Sequence, residues 1–171
     1  MPVVSNTSPI WNLAAIERLH LLHEPFPDLR LPEDVWNELQ VMRDCPEALR
    51  IQQARDAQWI KVESLQNSHV RQSLMLELDR GEAAAIALAL ELGVSQVLMD
   101  EADGRAVAKA MGLRPTGVLG ILLRAKYEGK IASVSDEMAR LRNEAGFFIA
   151  ESLFRYVQRE AGELPGNPAT R

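Results

Sequence analysis

Four residues with oxygen-bearing side chains lie where an α/β protein could use them for chemistry: Asn6, Glu38, Glu82 and Asp100. Asn6 follows a short apolar run at the start of the chain, and Asp100 directly follows the apolar run 97–99. Both runs are typical of buried strands. Because ligands gather at the carboxyl ends of parallel strands, Asn6 and Asp100 are predicted to lie at one edge of a sheet.

Glu38 and Glu82 lie beside the apolar faces of predicted helices. Helical geometry places Glu38 at the edge of the stripe formed by Val35, Leu39 and Met42, and Glu82 opens the clearest helix of the chain. A carboxylate next to a core face is costly unless it is paired or binds a metal ion. Converging carboxylate and carbonyl oxygens suit Mg²⁺ or Mn²⁺ better than zinc. The four side chains together therefore predict a divalent-cation site.

Each of these residues also has a purely structural interpretation. Glu82 lies three residues after Asp79, which is the spacing of a capping box. Glu38 is equally compatible with an ordinary exposed position on a helix. Asn6 and Asp100 also fit helix caps, as does a further acidic candidate, Asp103.

Composition and motifs exclude several other classes of protein. The 171 residues are 47% hydrophobic and 25% charged, which is typical of one soluble globular domain. Cys45 is the only cysteine, so a reducing, cytoplasmic location is expected. The N-terminus does not resemble a signal peptide, and the longest apolar stretch is too short to span a bilayer, so no membrane contact is expected. The sequence contains no glycine-rich phosphate loop, zinc-binding cysteine pair or nucleophile-elbow serine.

The positive charge of the chain is concentrated in one window. The chain as a whole has a net charge of −5, but residues 104–130 contain six basic residues and one acidic residue. A solvated helix surface explains this window, and so does a strip that contacts phosphates beside an acidic site. The basic residues are Arg105, Lys109, Arg114, Arg124, Lys126 and Lys130.

Short apolar runs alternate with helical patterns along the chain, which predicts a parallel sheet covered by helices on both faces. Strands are expected at 2–4, 29–31, 59–62, 97–99 and 113–115. The first helix is expected to run from Ser8 to Leu22, and the others to follow Pro32 and Pro46 and to occupy 65–78, 80–93, 104–111, 116–127, 136–143 and 149–160. One domain is expected over 1–160, with a helical extension from about 135 and a flexible tail at 161–171.

Five segments, which cover nearly the whole chain, carry a resemblance to a known family: VVSNTSPIWNLAAIERL, LRLPEDVWNEL, LDRGEAAAIALALELG, VLMDEADGRAVAKAMGLRPTGVLGILLRAKYEGKI and LRNEAGFFIAESLF. They resemble the PIN-domain family, and most closely a prokaryotic branch related to the VapC-type toxin ribonucleases. The resemblance implies a doubly wound parallel sheet flanked by helices, with additional C-terminal helices. It also implies an acidic cluster that binds Mg²⁺ or Mn²⁺ and cleaves RNA.

Matching the family position by position implies the members of this site. The catalytic positions fall on Asn6, Glu38, Glu82, Asp100 and Asp103, with Glu101 as an alternative to Asp100. Glu38, Glu82 and Asp100 are expected to hold the metal, and Asn6 to complete its shell. The residues expected to bind substrate are Ser8, which matches a small hydroxyl position of the family, and Arg105, Lys109 and Lys126 of the basic window.

The function predicted from this resemblance is a metal-dependent endoribonuclease, the toxin of a toxin–antitoxin pair. Its expected partners are RNA, a small antitoxin protein and a second copy of the chain in a homodimer. The chain departs from the family at Asn6, where an aspartate is usual. Asparagine brings a carbonyl oxygen but no negative charge, so the alternative is a PIN-fold module that binds RNA or protein with weak or no nuclease activity.

Overall fold

A computed structural model describes residues 1–164. The strands are β1 (Val3–Ser5), β2 (Leu29–Pro32), β3 (Ile60–Glu63), β4 (Gln96–Leu98) and β5 (Arg114–Thr116). The helices are α1 (Thr7–Ala15), α2 (Glu33–Val41), α3 (Pro46–Asp56), α4 (His69–Leu74), α5 (Arg80–Glu91), α6 (Ala102–Ala110), α7 (Val118–Tyr127), α8 (Val134–Glu144) and α9 (Glu151–Glu160), with a 3₁₀ helix at Leu19–Leu22. Within residues 1–164, no helix is both long enough and apolar enough to cross a bilayer.

The five strands form one sheet in the order β3-β2-β1-β4-β5, and every neighbouring pair is parallel. Val4 of β1 pairs with Arg30 on one side and with Val97 on the other. The chain thus builds the sheet in one direction from β1 to β3 and then in the opposite direction from β4 to β5. The predicted doubly wound parallel sheet is confirmed, and its switch point lies between β1 and β4, where such folds bind ligands.

Helix α5 is the central helix of the first compact unit, residues 1–118. It contacts β1, β2 and β4 of the sheet and also α2, α4 and α6. Its residues from Gly81 to Ala89 are all buried, because small alanine side chains let the helix lie close to its neighbours. Asp79 caps its first turn by accepting a hydrogen bond from the Glu82 backbone N–H (2.8 Å).

The first helix is shorter than predicted. We expected it to continue through Leu22, but α1 ends at Ala15 and a separate 3₁₀ helix follows. Glu17 adopts a left-handed conformation (φ 60°), and the Arg18 backbone N–H bonds back to the Leu13 carbonyl (2.8 Å). This closes the helix in the manner of a C-terminal cap, which the apolar periodicity of the sequence does not reveal.

The second compact unit begins at Leu119, and residues 119–164 of it are described. Its helices α8 and α9 pack together. The Glu163 carboxylate accepts hydrogen bonds from the backbone N–H groups of Val134 (2.6 Å) and Ser135 (2.8 Å) at the start of α8. A flexible tail was expected at 161–171, but the side chain of Glu163 within it is held by these hydrogen bonds. Residues 165–171 of that tail lie outside the described residues.

Two leucines of the α5 segment provide a test of this packing. Leu88 is 1% exposed, whereas Leu92 is 39% exposed. Leu88→Ala should lower the free energy of unfolding by about 2–5 kcal/mol, because it removes buried methyl groups and leaves a cavity. Leu92→Ala should lower it by less than about 1 kcal/mol. Urea denaturation of the two variants measures both values, and equal losses would contradict the burial of α5.

Candidate active site

Asn6 directs its side chain into the edge of the sheet instead of capping α1. It occupies the N-cap position of α1, yet its side chain makes no capping hydrogen bond there. Its amide nitrogen Nδ2 instead donates to Glu101 Oε2 (3.3 Å), across the switch point between β1 and β4. Asn6 is only 3% exposed, so its amide is fixed in place and its oxygen Oδ1 is available on the opposite side.

Three side-chain oxygens converge on the backbone of Gly81. A Cβ atom at this glycine would lie 2.9 Å from Glu38 Oε2, 3.1 Å from Asn6 Oδ1 and 3.5 Å from Asp79 Oδ1. The oxygens come from α2, from the residue after β1 and from the residue before α5. Any side chain at position 81 would fill the space that they share.

A cavity of about 190 Å³ opens at this point. Three of its lining residues are carboxylates, namely Glu38, Asp79 and Glu101. Thr7 Oγ1 donates to Glu38 Oε2 (2.9 Å) and so orients that carboxylate. The full lining is Asn6, Thr7, Ser8, Trp11, Asn12, Glu38, Met42, Asp79 and Glu101, with no basic side chain in this part of the described chain. Such a cavity attracts cations.

Asp100 has a different environment from its neighbour Glu101. Asp100 Oδ1 accepts a hydrogen bond from the Val118 backbone N–H (2.7 Å), and Oδ2 accepts from Ser8 Oγ (2.9 Å) and Asn12 Nδ2 (3.4 Å). Burial raises the pKa of Asp100 above its usual value, and these hydrogen bonds partly offset the shift. Asp100 therefore holds the start of α1 and the first residue of α7 in place, while Glu101 lines the cavity.

Glu82 lies behind the cavity and supports Asp79. Its Oε2 accepts a hydrogen bond from the Asp79 backbone N–H (3.2 Å), which completes the capping box. Its Oε1 is buried without a hydrogen-bond partner, and a Cβ atom at Gly104 would lie 2.8 Å from it. Burial, reinforced by the negative charges of Asp79 and Glu101, raises the pKa of Glu82 to about 7.

The other residues predicted for the site do not line this cavity. Asp103 is exposed in the first turn of α6, and Lys109 is exposed near the end of the same helix. Arg105 Nη1 donates to the Met99 carbonyl (3.0 Å). Lys126 belongs to the second unit, where its amine contacts the Ala132 carbonyl and the Glu163 carboxylate. Their roles with substrate remain predictions.

Sequence reasoning missed two residues of the cavity that matter for its charge and shape. Asp79 was recognised only as the partner of Glu82 in a capping box. The signal that could have found it is its N-cap position, because an acidic N-cap at the start of a helix beside the strand ends places its carboxylate at the site. Trp11 was read only as part of a helix. It lies four residues after Thr7, and therefore one turn further along α1, in the lining of the same cavity.

Comparison with known proteins identifies the family. A family profile described as a PIN domain matches residues 2–163. The chain belongs to the PIN-domain family. No curated protein and no solved structure matches it. The PIN domain is a nuclease-type fold, and in this PIN domain the acidic cavity lies at the switch point of the sheet.

The donor atoms of this PIN domain fit a hard divalent cation in type, because the oxygens that converge at Gly81 are carboxylate and amide oxygens. Within residues 1–164, no three Asp, Glu, His or Cys side chains are grouped so that they could hold one metal ion. The group at Gly81 consists of two carboxylates, Glu38 and Asp79, and one amide, Asn6. The site is therefore one negative charge short of a carboxylate triad.

The raised pKa of Glu82 predicts a pH-dependent stability. Folding raises the pKa of Glu82 from 4.5 to about 7, so the folded state binds the proton of this carboxyl group more tightly than the unfolded state does. The contribution of this proton to the free energy of unfolding is fully present below pH 4.5, and it is lost as the pH rises through about 7. Glu82→Gln keeps a capping group at this position but does not titrate. The free energy of unfolding of Glu82→Gln, relative to the unchanged protein, should therefore increase between pH 4.5 and about 7. Urea denaturation at a series of pH values measures this difference. If the free energies of unfolding of the two proteins changed in parallel with pH, the buried environment of Glu82 would be contradicted.

Proposed function

We propose that this PIN domain is a metal-dependent endoribonuclease that hydrolyses RNA phosphodiester bonds in the cytoplasm. The observation that carries the proposal is the convergence of Glu38, Asp79 and Asn6 oxygens on Gly81, in a cavity at the switch point of a nuclease-type fold. An RNA phosphate is negative, and the carboxylates that line the cavity would repel it. A bound divalent cation resolves this conflict, because it compensates both partners.

Glu38, Asp79 and the Asn6 oxygen Oδ1 would hold the cation. Mg²⁺ or Mn²⁺ at this position would supply Lewis acidity and lower the pKa of a bound water. Glu101 orients the Asn6 amide through its hydrogen bond with Nδ2, and Thr7 orients Glu38. This assignment keeps Glu38 from the metal ligands predicted by sequence and puts Asp79 in place of Glu82 and Asp100, because neither Glu82 nor Asp100 lines the cavity.

Metal affinity should be low, because a hard cation gains much of its affinity from the charge of its ligands. Asn6 leaves two formal negative charges among the three converging groups. Glu101 adds a third carboxylate to the cavity, but its Oε2 accepts from the Asn6 amide nitrogen.

A toxin role is the finer part of the proposal, and it rests on the sequence resemblance to the VapC-related branch. In that role a small antitoxin protein blocks the acidic cavity until it is removed. The same resemblance supports a homodimer as the working form of the protein.

A second candidate function follows from Asn6. A PIN-fold module that binds RNA or protein without cleaving it would not need the missing negative charge. Hydrogen bonding of Asn6 to Glu101 favours this candidate, because an amide at position 6 stabilises the cavity without metal.

The substitution Asn6→Asp separates the two candidates. It supplies the third carboxylate at nearly the same side-chain shape, so the affinity for Mg²⁺ or Mn²⁺ should rise about tenfold, which is roughly 1.4 kcal/mol of binding free energy. Cleavage of RNA should become faster in parallel. Isothermal titration with Mn²⁺ and cleavage of a labelled RNA measure the two effects.

The controls are two Glu→Gln changes in the Asn6→Asp background. Glu38→Gln should abolish the gain in metal binding and in cleavage, because it removes a converging oxygen charge. Glu47→Gln, on α3 and outside the cavity lining, should preserve both. If Asn6→Asp improves neither metal binding nor cleavage, the nuclease proposal fails and the binding module is the better account.

A further inference from the structure

The cavity at Asn6 shares two lining residues with a second cavity, whose lining includes a basic residue. This second cavity, of about 510 Å³, is lined by Asp34, Asn37, Glu38, Val41, Asp79, Arg80 and Gly81. Glu38 and Asp79 line both cavities. Among the described residues that line these two cavities, Arg80 is the only basic one.

Gly81 lines the second cavity, and its backbone is the point on which oxygens of the first cavity's lining residues converge. A Cβ atom at this position would lie 2.9 Å from Glu38 Oε2 and 3.1 Å from Asn6 Oδ1. Because glycine has no side chain, nothing at position 81 itself separates these oxygens from the cavity that Arg80 lines.

Arg80 is held in a defined position and yet remains accessible. Its Nε donates to Asp34 Oδ1 (2.5 Å), while 60% of its side chain is exposed. The remaining N–H donors of its guanidinium are on Nη1 and Nη2, which are suited to a bidentate contact with phosphate. Fixing one nitrogen on a carboxylate reduces the side-chain entropy that the arginine would lose on binding.

The charge of Arg80 is not cancelled by Asp34. The Asp34 side chain is only 10% exposed and also accepts two contacts from Arg71 Nη1 (3.0 and 3.1 Å). One carboxylate thus serves two guanidinium groups, so these three side chains together carry one net positive charge, and Glu38 and Asp79 are the other charged groups of the cavity lining. Arg71 is 17% exposed, so Arg80 is the member of the pair that presents this charge to the cavity.

We propose that Arg80 binds a phosphate of the RNA next to the phosphate that meets Asn6, Glu38 and Asp79. The proposal rests on the ribonuclease function for the identity of the ligand, but Arg80 acts on binding and not on the hydrolysis itself. It places the main phosphate contact in the first turn of α5. The basic window 104–130, from which the sequence analysis selected its candidates, contributes no residue to either cavity.

The test measures binding of a fluorescent single-stranded RNA by anisotropy, over a series of salt concentrations with Mg²⁺ present. The full chain carries Glu38→Gln as the background, so that the RNA stays intact. In this background Arg80→Gln should raise the Kd about tenfold and reduce the slope of log affinity against log salt by about 0.7, the value for one lost phosphate contact on a single strand. Arg80→Lys should restore the salt slope, because it restores the charge.

Arg155→Gln is the matched control. Arg155 is also an exposed arginine (69%) beside a glutamate on a helix, and it lines neither cavity. Its removal should leave the Kd and the salt slope unchanged. A thermal melt of each variant checks folding, and removing the exposed Arg80 side chain should shift the melting temperature little, because Asp34 keeps its hydrogen bonds from Arg71.

Two results overturn the proposal: Arg80→Gln binding RNA like Arg155→Gln, or a failure of both the Glu38→Gln background and the unsubstituted chain to bind RNA. Cleavage by the unsubstituted protein is scored separately. Loss of RNA binding in Arg80→Gln without any cleavage by the unsubstituted chain would support the Arg80 site and reject the nuclease function.

Discussion

The approach of α5 to the ends of β1 and α2 at Gly81 is the contact on which the site depends. With no side chain at this position, oxygens of Asn6, Glu38 and Asp79 come within 2.9–3.5 Å of one point. The same approach is stabilised from behind by the capping box of Asp79 and Glu82 and by the buried alanine-rich face of α5. The packing of one helix therefore both completes the core and assembles the cavity.

Bringing carboxylates together at one edge of a sheet has an electrostatic cost, and the chain reduces that cost in several ways. Glu82, with a pKa of about 7, is partly protonated near neutral pH and so lowers the negative charge behind the cavity. Asp100 is stabilised by hydrogen bonds from Ser8 and Val118. Asn6 places a donor against Glu101, where an aspartate would add repulsion. The amide at position 6 thus reduces the repulsion among the carboxylates of the cavity.

Much of the fold could be predicted from local patterns. All five strands were expected close to their observed positions, although β5 (Arg-Pro-Thr) is not an apolar run. The end of α1 could not be predicted, because Glu17 adopts a left-handed conformation that its residue type does not signal. At the site, Asn6 and Glu38 were predicted to lie together, and oxygens of both lie near Gly81. Both Asp100 and Glu101 were considered for the last acidic position of the site. Consecutive side chains after a strand point in opposite directions, but the sequence does not show which of the two accepts hydrogen bonds from α1 and which one lines the cavity.

The sequence by itself determined the alternation of strands and helices, the family, and the presence of oxygen-bearing residues at the strand ends. These properties follow from periodicity and from residue types that are read along the chain. Only the tertiary structure decided which oxygens share a cavity. Asp79, Arg80 and Gly81 are consecutive, yet one supplies a converging oxygen, the next an exposed guanidinium and the third the space between them. Such roles depend on distances to α2 and β1, and those distances are set by how α5 packs.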